Sequence, residues 1–431
     1  MPLFGMFVDD FPNIANIAED EKQSLNVHFP EANNPLNAWA WRCECAHANP
    51  SSSALKGKTV CLKDNIALAW VPCRLGTESF QDWTPQTDAT VATRVLEAGG
   101  QIAGKAVCEN LSRGAPSTTP TPGATRRAAA ARARRRSVDF VGPMTRTCLE
   151  CATLLEVLAG ADGLDDRQGA GCPFPGQVPR YAEELKTSGV DGVKGLRIGI
   201  LKEGLEVVAT NESVKTKFLA AAKVFTDKLG AAAVEEVSVP MHASSRAIYS
   251  VLSKMGNHMG MLGRATGRRQ VMLTDLAERK GLPYTPAALG KMSAFSHEGL
   301  LAGELGWSKY PLVYGKAVNL FRRLRDEYDA TLKRYDVLIL PTTLRASFPF
   351  PPVDAGPVAH MDAGRGMTEN TASFNGTGHP ALAVPIGFVP SEADPGIMVP
   401  ASMQIGGSFW DEMTVLKVAY AWEQAVDWKS F

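Results

Sequence analysis

The residue type with the clearest capacity for chemistry is cysteine: eight are present, all within the first 172 positions. Cys148 and Cys151 form a C-x-x-C pair, a spacing typical of zinc sites and of thiol oxidoreductases. The pair lies in CLECATLLEVL, which has a helical pattern, and no second C-x-x-C follows. We therefore expect core thiols at these positions, with no metal and no cofactor.

A cysteine could instead be the nucleophile of a hydrolase if a histidine activated it. The cysteines considered for this role are Cys43, Cys61, Cys108 and Cys148. The seven histidines, which include His242, His258 and His379, show no paired spacing with them. A cysteine hydrolase stays open as an alternative, although each histidine is expected to be structural or exposed.

The elements around Lys63 predict a βαβ unit. A short apolar run ends in Lys63, the stretch from Asp88 to Ala98 predicts a helix capped by Asp88, and residues 101–107 predict a second strand. Strand, helix and strand at this spacing indicate a parallel or mixed sheet.

Alternation of strand and helix patterns continues to the end of the chain. Further strands are expected at 195–201, 237–240, 335–342, 380–385 and 402–405, and helices at 214–229, 312–335 and 414–424. The predicted fold class is therefore α/β, a mixed sheet with helices on both faces. Residues 1–57 are expected to be a partly helical N-terminal extension to a domain over 58–431.

Composition argues against two classes of partner. The 431 residues include 45 Lys and Arg and 45 Asp and Glu, so no overall field favours nucleic acid or an anionic membrane. No apolar stretch is long enough to span a bilayer, and the N-terminus lacks the basic start of a signal peptide. The expectation is a cytoplasmic protein that binds neither nucleic acid nor membrane.

Residues 112–137 do not fit the surrounding pattern. Six arginines occur between positions 126 and 136, without an acidic or large apolar residue among them. Such a segment has nothing to bury, so we expect an irregular Ala/Arg-rich loop that interrupts the domain. An arginine-rich nucleic-acid arm is less well supported, because no aromatic residues are interleaved.

Four separated stretches together resemble the amidase signature family. They are GKTVCLKDNI (57–66), DATVATRVLEAGGQIAGK (88–105), VGPMTRT (141–147) and NGTGHPALAVP (375–385), in the family's order. Two further stretches, NPLNAW (34–39) and VYGKA (313–317), are similar to the branch associated with nitrile hydratases. That branch acts on small aliphatic and aromatic amides.

The resemblance implies a serine nucleophile, a bridging serine in a cis peptide bond and a lysine, with no metal or cofactor. Lys63 matches the triad lysine. Such a lysine must be neutral to accept a proton, and burial favours the neutral form. It draws the proton from the nucleophile through the bridging serine, while backbone N–H groups of a glycine-rich loop stabilise the oxyanion.

The serines of that triad are missing from their expected place. In the family they lie in Gly-Gly-Ser motifs between the regions matching Glu109 and Gly142, and neither motif occurs there. Ser112, Ser117 and Ser137 are present but sit in no matching context, so no role is transferred to them. Loss of the strand and helix that this stretch forms in the family is expected to leave apolar surface uncovered.

Three functions follow as hypotheses. The first is a hydrolase of amidase lineage that cleaves carboxamides to carboxylate and ammonia, with this chain catalytically defective. The second is a non-catalytic amidase-like binding or scaffold protein, and the third is the cysteine hydrolase. The oligomeric state is not determined by the sequence.

The Ala/Arg composition makes a testable prediction about the gene. Glycine and serine codons in GC-rich DNA become alanine and arginine codons when they are read out of frame. Sequencing the gene and transcript across codons 105–145 should therefore show a Gly-Gly-Ser motif in another frame. Absence of such a motif from both other frames would contradict a frameshift or a misplaced intron.

Overall fold

The computed structural model describes residues 22–23, 25–28, 34–80, 82–114, 138–165, 168–169, 171–206, 211–264, 273–280, 282–347, 349–352 and 354–431. The strands are β1 (Lys22–Gln23), β2 (Trp39–His47), β3 (Thr59–Lys63), β4 (Gln101–Ala106), β5 (Arg197–Leu201), β6 (Ala233–Val237), β7 (Val337–Pro341), β8 (Ala381–Pro390) and β9 (Met398–Gly407). The helices are α1 (Thr90–Glu97), α2 (Cys148–Leu158), α3 (Tyr181–Ser188), α4 (Glu212–Asp227), α5 (Ser245–Met261), α6 (Thr274–Arg279), α7 (Pro286–Gly290), α8 (Ala294–Lys309), α9 (Leu312–Leu332), α10 (Pro357–Asp362), α11 (Glu369–Thr377) and α12 (Glu412–Ala425).

The strands form two sheets in the described part of the chain. The smaller sheet has the order β1-β2-β4-β3, and the larger has the order β6-β5-β7-β9-β8. In the smaller sheet β3 and β4 run parallel, joined by α1, which confirms the predicted βαβ unit. Val95 and Leu96 of α1 are buried against this sheet, so the apolar face of α1 holds it in place.

The larger sheet is covered by helices on both faces. Residues of its central strand β7 are all buried and alternate between two cores, as the two-residue period of a strand requires. Val337 and Ile339 pack in the cluster that contains α4 and α12, whereas Leu338 and Leu340 pack in the cluster that contains α5 and α9. The larger sheet is therefore the middle layer of an α/β sandwich.

Helix α2 connects the two halves. Its residues Leu154 and Leu158 pack against the core of the smaller sheet, and Ala152 packs in a cluster with Leu416 of α12. The C-x-x-C pair lies in this helix, as its pattern predicted, with Cys148 buried and both thiols free.

Two local expectations were wrong. Residues 39–47, assigned to the partly helical extension, form strand β2, and no helix occurs between residues 34 and 57. Register shifts along the β2–β4 pairing break the alternation that would have identified the strand. The strand expected at 237–240 is instead Ala233–Val237, because its parallel register with β5 begins earlier and Pro240 starts a 3₁₀ turn. Residues 1–21 of the expected extension, and residues 115–137 of the expected irregular loop, lie outside the described residues.

Apolar side chains lie at the surface just after the Ala/Arg-rich segment in the sequence. Phe140, Val141 and Met144 are each more than half exposed. In the smaller sheet, β3 pairs with β4 alone, so one of its edges has no described strand beside it. These positions are where the loss of a strand and a helix was expected to uncover surface.

Core packing around the larger sheet gives a stability prediction. Phe218 of α4 is fully buried in the core beneath the sheet, so Phe218→Ala should lower the free energy of unfolding by about 3–5 kcal/mol. Phe174→Ala is the matched control, because that ring is 66% exposed, and its effect should stay within about 0.5 kcal/mol. Urea denaturation followed by far-UV circular dichroism measures both. Equal effects of the two substitutions would contradict this core.

Candidate active site

Lys63 is the last residue of β3 and lies opposite Ala106, the last residue of β4. Only 8% of Lys63 is exposed, which is unusual for a lysine. Its carbonyl oxygen accepts a hydrogen bond of 2.8 Å from the Ile66 N–H, which starts the turn after the strand. The parallel pairing therefore fixes Lys63 at the carboxyl end of the smaller sheet, in a buried position.

A fully buried charge pair lies next to Lys63. The Nζ atom of Lys105, on β4, is 3.8 Å from Asp64 Oδ1, and both side chains have no solvent exposure. Asp64 Oδ2 accepts a 2.6 Å hydrogen bond from the Leu75 N–H. Burial raises the pKa of the Asp64 carboxyl, and the Lys105 ammonium and backbone N–H groups oppose that rise. Lys105 also contacts Cys73 Sγ at 2.5 Å and the Pro72 carbonyl at 3.3 Å.

The chain that follows β4 is packed tightly against the loop after Lys63. A Cβ atom on Gly76 would stand 2.1 Å from the Cys108 carbonyl oxygen, and the φ of Gly76 is +64°. Glycine is required here by both the close approach and the backbone conformation. Ser112 then donates a hydrogen bond from Oγ to Cys108 Sγ at 3.5 Å. The loop thus holds a hydroxyl and a thiol near the end of β3.

Cys108 is poorly suited to nucleophilic attack despite this position. Burial is the largest influence and raises the pKa of its thiol to about 12, although the charge of Lys63 acts in the opposite direction. Burial likewise raises the pKa of Cys43 and Cys61 to about 11, and raises the pKa of Cys148. Thiolates are therefore scarce at all four cysteines near neutral pH.

The three histidines considered for a thiol pair are bound to other groups. Buried His242 hydrogen-bonds Tyr328 and Asn370, and burial lowers its pKa to about 4. His258 contacts the Leu300 carbonyl, and His379 contacts Thr377 and Asp329. His379, which lies in one of the family-like stretches, is packed between the rings of Tyr328 and Phe409. This geometry gives no support to a cysteine–histidine hydrolase.

Metal ligands and membrane-spanning helices were sought in the described ranges. There, no group of three or more His, Cys, Asp or Glu side chains could hold a metal ion. No helix of the described chain has both the length and the apolar character needed to cross a bilayer. Of the three serines named above, Ser117 and Ser137 lie outside the described residues, whereas Ser112 is described and lies beside Cys108.

Sequence analysis missed the Asp64–Lys105 pair. Both residues stand in family-like stretches, but nothing in their spacing shows that two charges become fully buried together. The signal available was the register of the predicted parallel strands, which places Leu62 opposite Lys105.

Breaking this pair tests its structural role. In protein kept reduced, Asp64→Asn should lower the free energy of unfolding by about 3–5 kcal/mol, because the Lys105 ammonium loses its buried counter-charge. Asp64→Asn combined with Lys105→Met should cost less than Asp64→Asn alone, which urea denaturation of the single and double variants measures. Strict additivity of the two substitutions would contradict coupling between the charges.

Comparison with known proteins agrees with the resemblance seen in the sequence. The Amidase family model matches residues 14–133 and 120–416, which together span most of the chain. An enantioselective amidase of Rhodococcus rhodochrous is 30% identical over 459 aligned positions, covering 92% of this chain and 84% of that protein. A glutamyl-tRNA(Gln) amidotransferase subunit of Geobacillus kaustophilus is 33% identical over 68% of this chain, and the match spans only 56% of that protein.

A solved structure confirms the predicted fold class. The homologous glutamyl-tRNA(Gln) amidotransferase subunit of Thermotoga maritima superposes with a TM-score of 0.63 at 20% identity, covering 92% of this chain and 89% of that one. At this identity the likeness concerns the fold alone. Taken with the family match and the Rhodococcus relative, it shows that this chain belongs to the amidase family, whose members are amide hydrolases.

Proposed function

We propose that this chain derives from cytoplasmic amidases that cleave small carboxamides to carboxylate and ammonia, and that the chain itself does not complete that reaction. In the ancestral chemistry Lys63 is the general base of a serine–serine–lysine triad. The single observation that supports this most is a buried lysine at the end of β3, within the family's lysine motif.

The surroundings of Lys63 suit a proton-accepting role. A buried amine loses hydration of its charged form, which favours the neutral amine that can take a proton. The buried Asp64–Lys105 pair beside it is internally balanced in charge, so it adds no net charge to the site. Lys63 is therefore the residue that we assign as general base, and no metal or cofactor enters the proposed chemistry.

The defect lies in the partners of Lys63. No Gly-Gly-Ser motif occurs between Glu109 and Gly142, so neither the nucleophile nor the close backbone N–H groups of an oxyanion hole can be assigned. The alignment with the Rhodococcus amidase occupies 459 positions, more than the 431 residues of this chain, so that relative has residues opposite gaps here. Ser112 is retained, but its hydroxyl is hydrogen-bonded to Cys108 and stands in no motif of the family.

The substrate class follows from the relatives with less detail. The Rhodococcus protein is named for enantioselective amide hydrolysis, whereas the amidotransferase relatives are named for glutamyl-tRNA. This chain has equal numbers of acidic and basic residues, which gives no general attraction to a nucleic acid. We therefore propose a small carboxamide as the ancestral substrate and no nucleic-acid or membrane partner.

A gain-of-function comparison tests both halves of the proposal. The purified chain should release no ammonia from benzamide above background, because the serines are lacking. A restored chain that carries the Gly-Gly-Ser stretch from another reading frame should release ammonia. Lys63→Ala in the restored chain should then lower kcat/KM by on the order of 10⁴-fold or more.

Lys58→Ala in the restored chain is the matched control, since Lys58 is an exposed lysine that pairs with Glu150 near the same strand. Its activity should stay close to that of the restored chain. Turnover by the unaltered chain with an acylated side chain, or activity that survives Lys63→Ala, would overturn the proposal. Turnover abolished by thiol alkylation would point to the cysteine hydrolase, and inactivity of both chains to a binding or scaffold protein.

A further inference from the structure

Cys73 and Lys105 make an unusually close contact in the interior. The Lys105 Nζ and Cys73 Sγ atoms are 2.5 Å apart, and neither side chain is exposed. An N–H···O hydrogen bond spans about 2.9 Å, and sulfur is a larger atom than oxygen, so this contact is too short for an ordinary hydrogen bond. It is also longer than a direct bond between nitrogen and sulfur. The separation suits two atoms that are each bonded to one shared oxygen.

The backbone on both sides holds the two atoms together. Cys73 exchanges two hydrogen bonds with Trp83, from the Cys73 N–H at 2.7 Å and from the Trp83 N–H at 3.2 Å. Lys105 is fixed within β4, between β2 and β3. Neither residue can move away without breaking strand or bridge hydrogen bonds, so the contact is built into the fold.

We propose that Cys73 and Lys105 are a modification site, at which dioxygen joins them through a reversible Sγ–O–Nζ cross-link. The O–O bond breaks, one oxygen forms bonds to sulfur and nitrogen, and the other leaves as water. The thiol proton and one ammonium proton go to that water, one proton remains on the bridged nitrogen, and the third ammonium proton passes to Asp64. Thiol, ammonium, carboxylate and dioxygen thus give the cross-link, a neutral carboxylic acid and one water.

Asp64 makes this proton balance reasonable. Its Oδ1 atom is 3.8 Å from Lys105 Nζ, and burial already raises the pKa of its carboxyl. When the nitrogen becomes neutral, a protonated Asp64 avoids a buried carboxylate without a counter-charge. The reaction therefore removes two buried charges together and leaves none unpaired.

Neighbouring thiols lack this arrangement. Cys43 lies 3.6 Å from the Ile102 carbonyl, Cys61 lies 3.6 Å from its neighbour's carbonyl, and Cys108 lies 3.5 Å from a hydroxyl. Of these four described thiols Cys73 alone contacts an amine. Burial also raises the pKa of Cys73 to about 11, so it is mostly a thiol and is shielded from charged oxidants, whereas dioxygen is small and apolar.

The consequence falls next to the proposed general base. Asp64 follows Lys63 directly, and the cross-link converts the adjacent ion pair into two neutral groups. Oxidation would therefore change the electrostatic surroundings of Lys63 without any change at Lys63 itself. Independently of amide hydrolysis, the site would make this part of the fold sensitive to oxidation.

Peptide mapping of the full chain tests the cross-link. Trypsin should release residues 64–74, with Cys73, and residues 95–105, with Lys105, from chain purified without oxygen. After exposure to air, a modified Lys105 resists cleavage, so residues 64–74 should appear joined to 95–113. The joined species should have gained one oxygen atom and lost two hydrogen atoms, and dithiothreitol should convert it back.

Cys73→Ser should abolish the joined peptide, whereas Cys43→Ser, a change at another buried thiol, should retain it. The map of the unsubstituted chain decides the question even if Cys73→Ser fails to fold. Complete recovery of 64–74 and 95–105 as separate peptides after exposure to air would overturn the proposal. A joined species without the added oxygen would also overturn it, since that mass denotes a disulfide with Cys108 or a direct S–N bond.

Discussion

Parallel pairing of β3 with β4 is the constraint on which the site depends. Parallel strands end at the same edge of a sheet, so this pairing places Lys63, Asp64 and the residues after Ala106 close together. The crossing helix α1 covers the unit and excludes water from it. A lysine on a strand end would otherwise be a solvated surface residue, and its burial is what makes a proton-accepting role physically reasonable.

Burial of Asp64 with Lys105 follows from the same pairing. Moving one charge into an apolar interior is costly, and moving two opposite charges together lessens that cost without removing it. The Leu75 N–H bond to Asp64 and the Pro72 carbonyl contact of Lys105 satisfy further polar atoms of the pair. Substitutions at either residue therefore act first on the fold around Lys63, and effects on chemistry have to be separated from effects on stability.

The family identity and the missing serines are compatible. Most of the described apolar core belongs to the larger sheet, whose central strand β7 is covered by α4 and α12 on one face and by α5 and α9 on the other. These helices lie far along the chain from the Ala/Arg-rich segment, so their packing on the sheet does not depend on the triad serines. The smaller sheet is more exposed to the loss, because β3 has β4 as its one described neighbour and Phe140 and Met144 lie at the surface.

Local pattern in the sequence determined the elements with strong periodicity and the family. The βαβ unit, α9, β7 and α12 were all predicted close to their observed bounds, because their apolar periods match their burial. Lys63 was identified by a motif. Strand β2 was not, since bulges shift its register, and β6 was displaced, since its partner β5 decides where pairing begins. Tertiary structure alone decided that Lys105 meets both Asp64 and Cys73, because strand register and the fold of the 64–76 loop, rather than spacing along the chain, bring those atoms into contact.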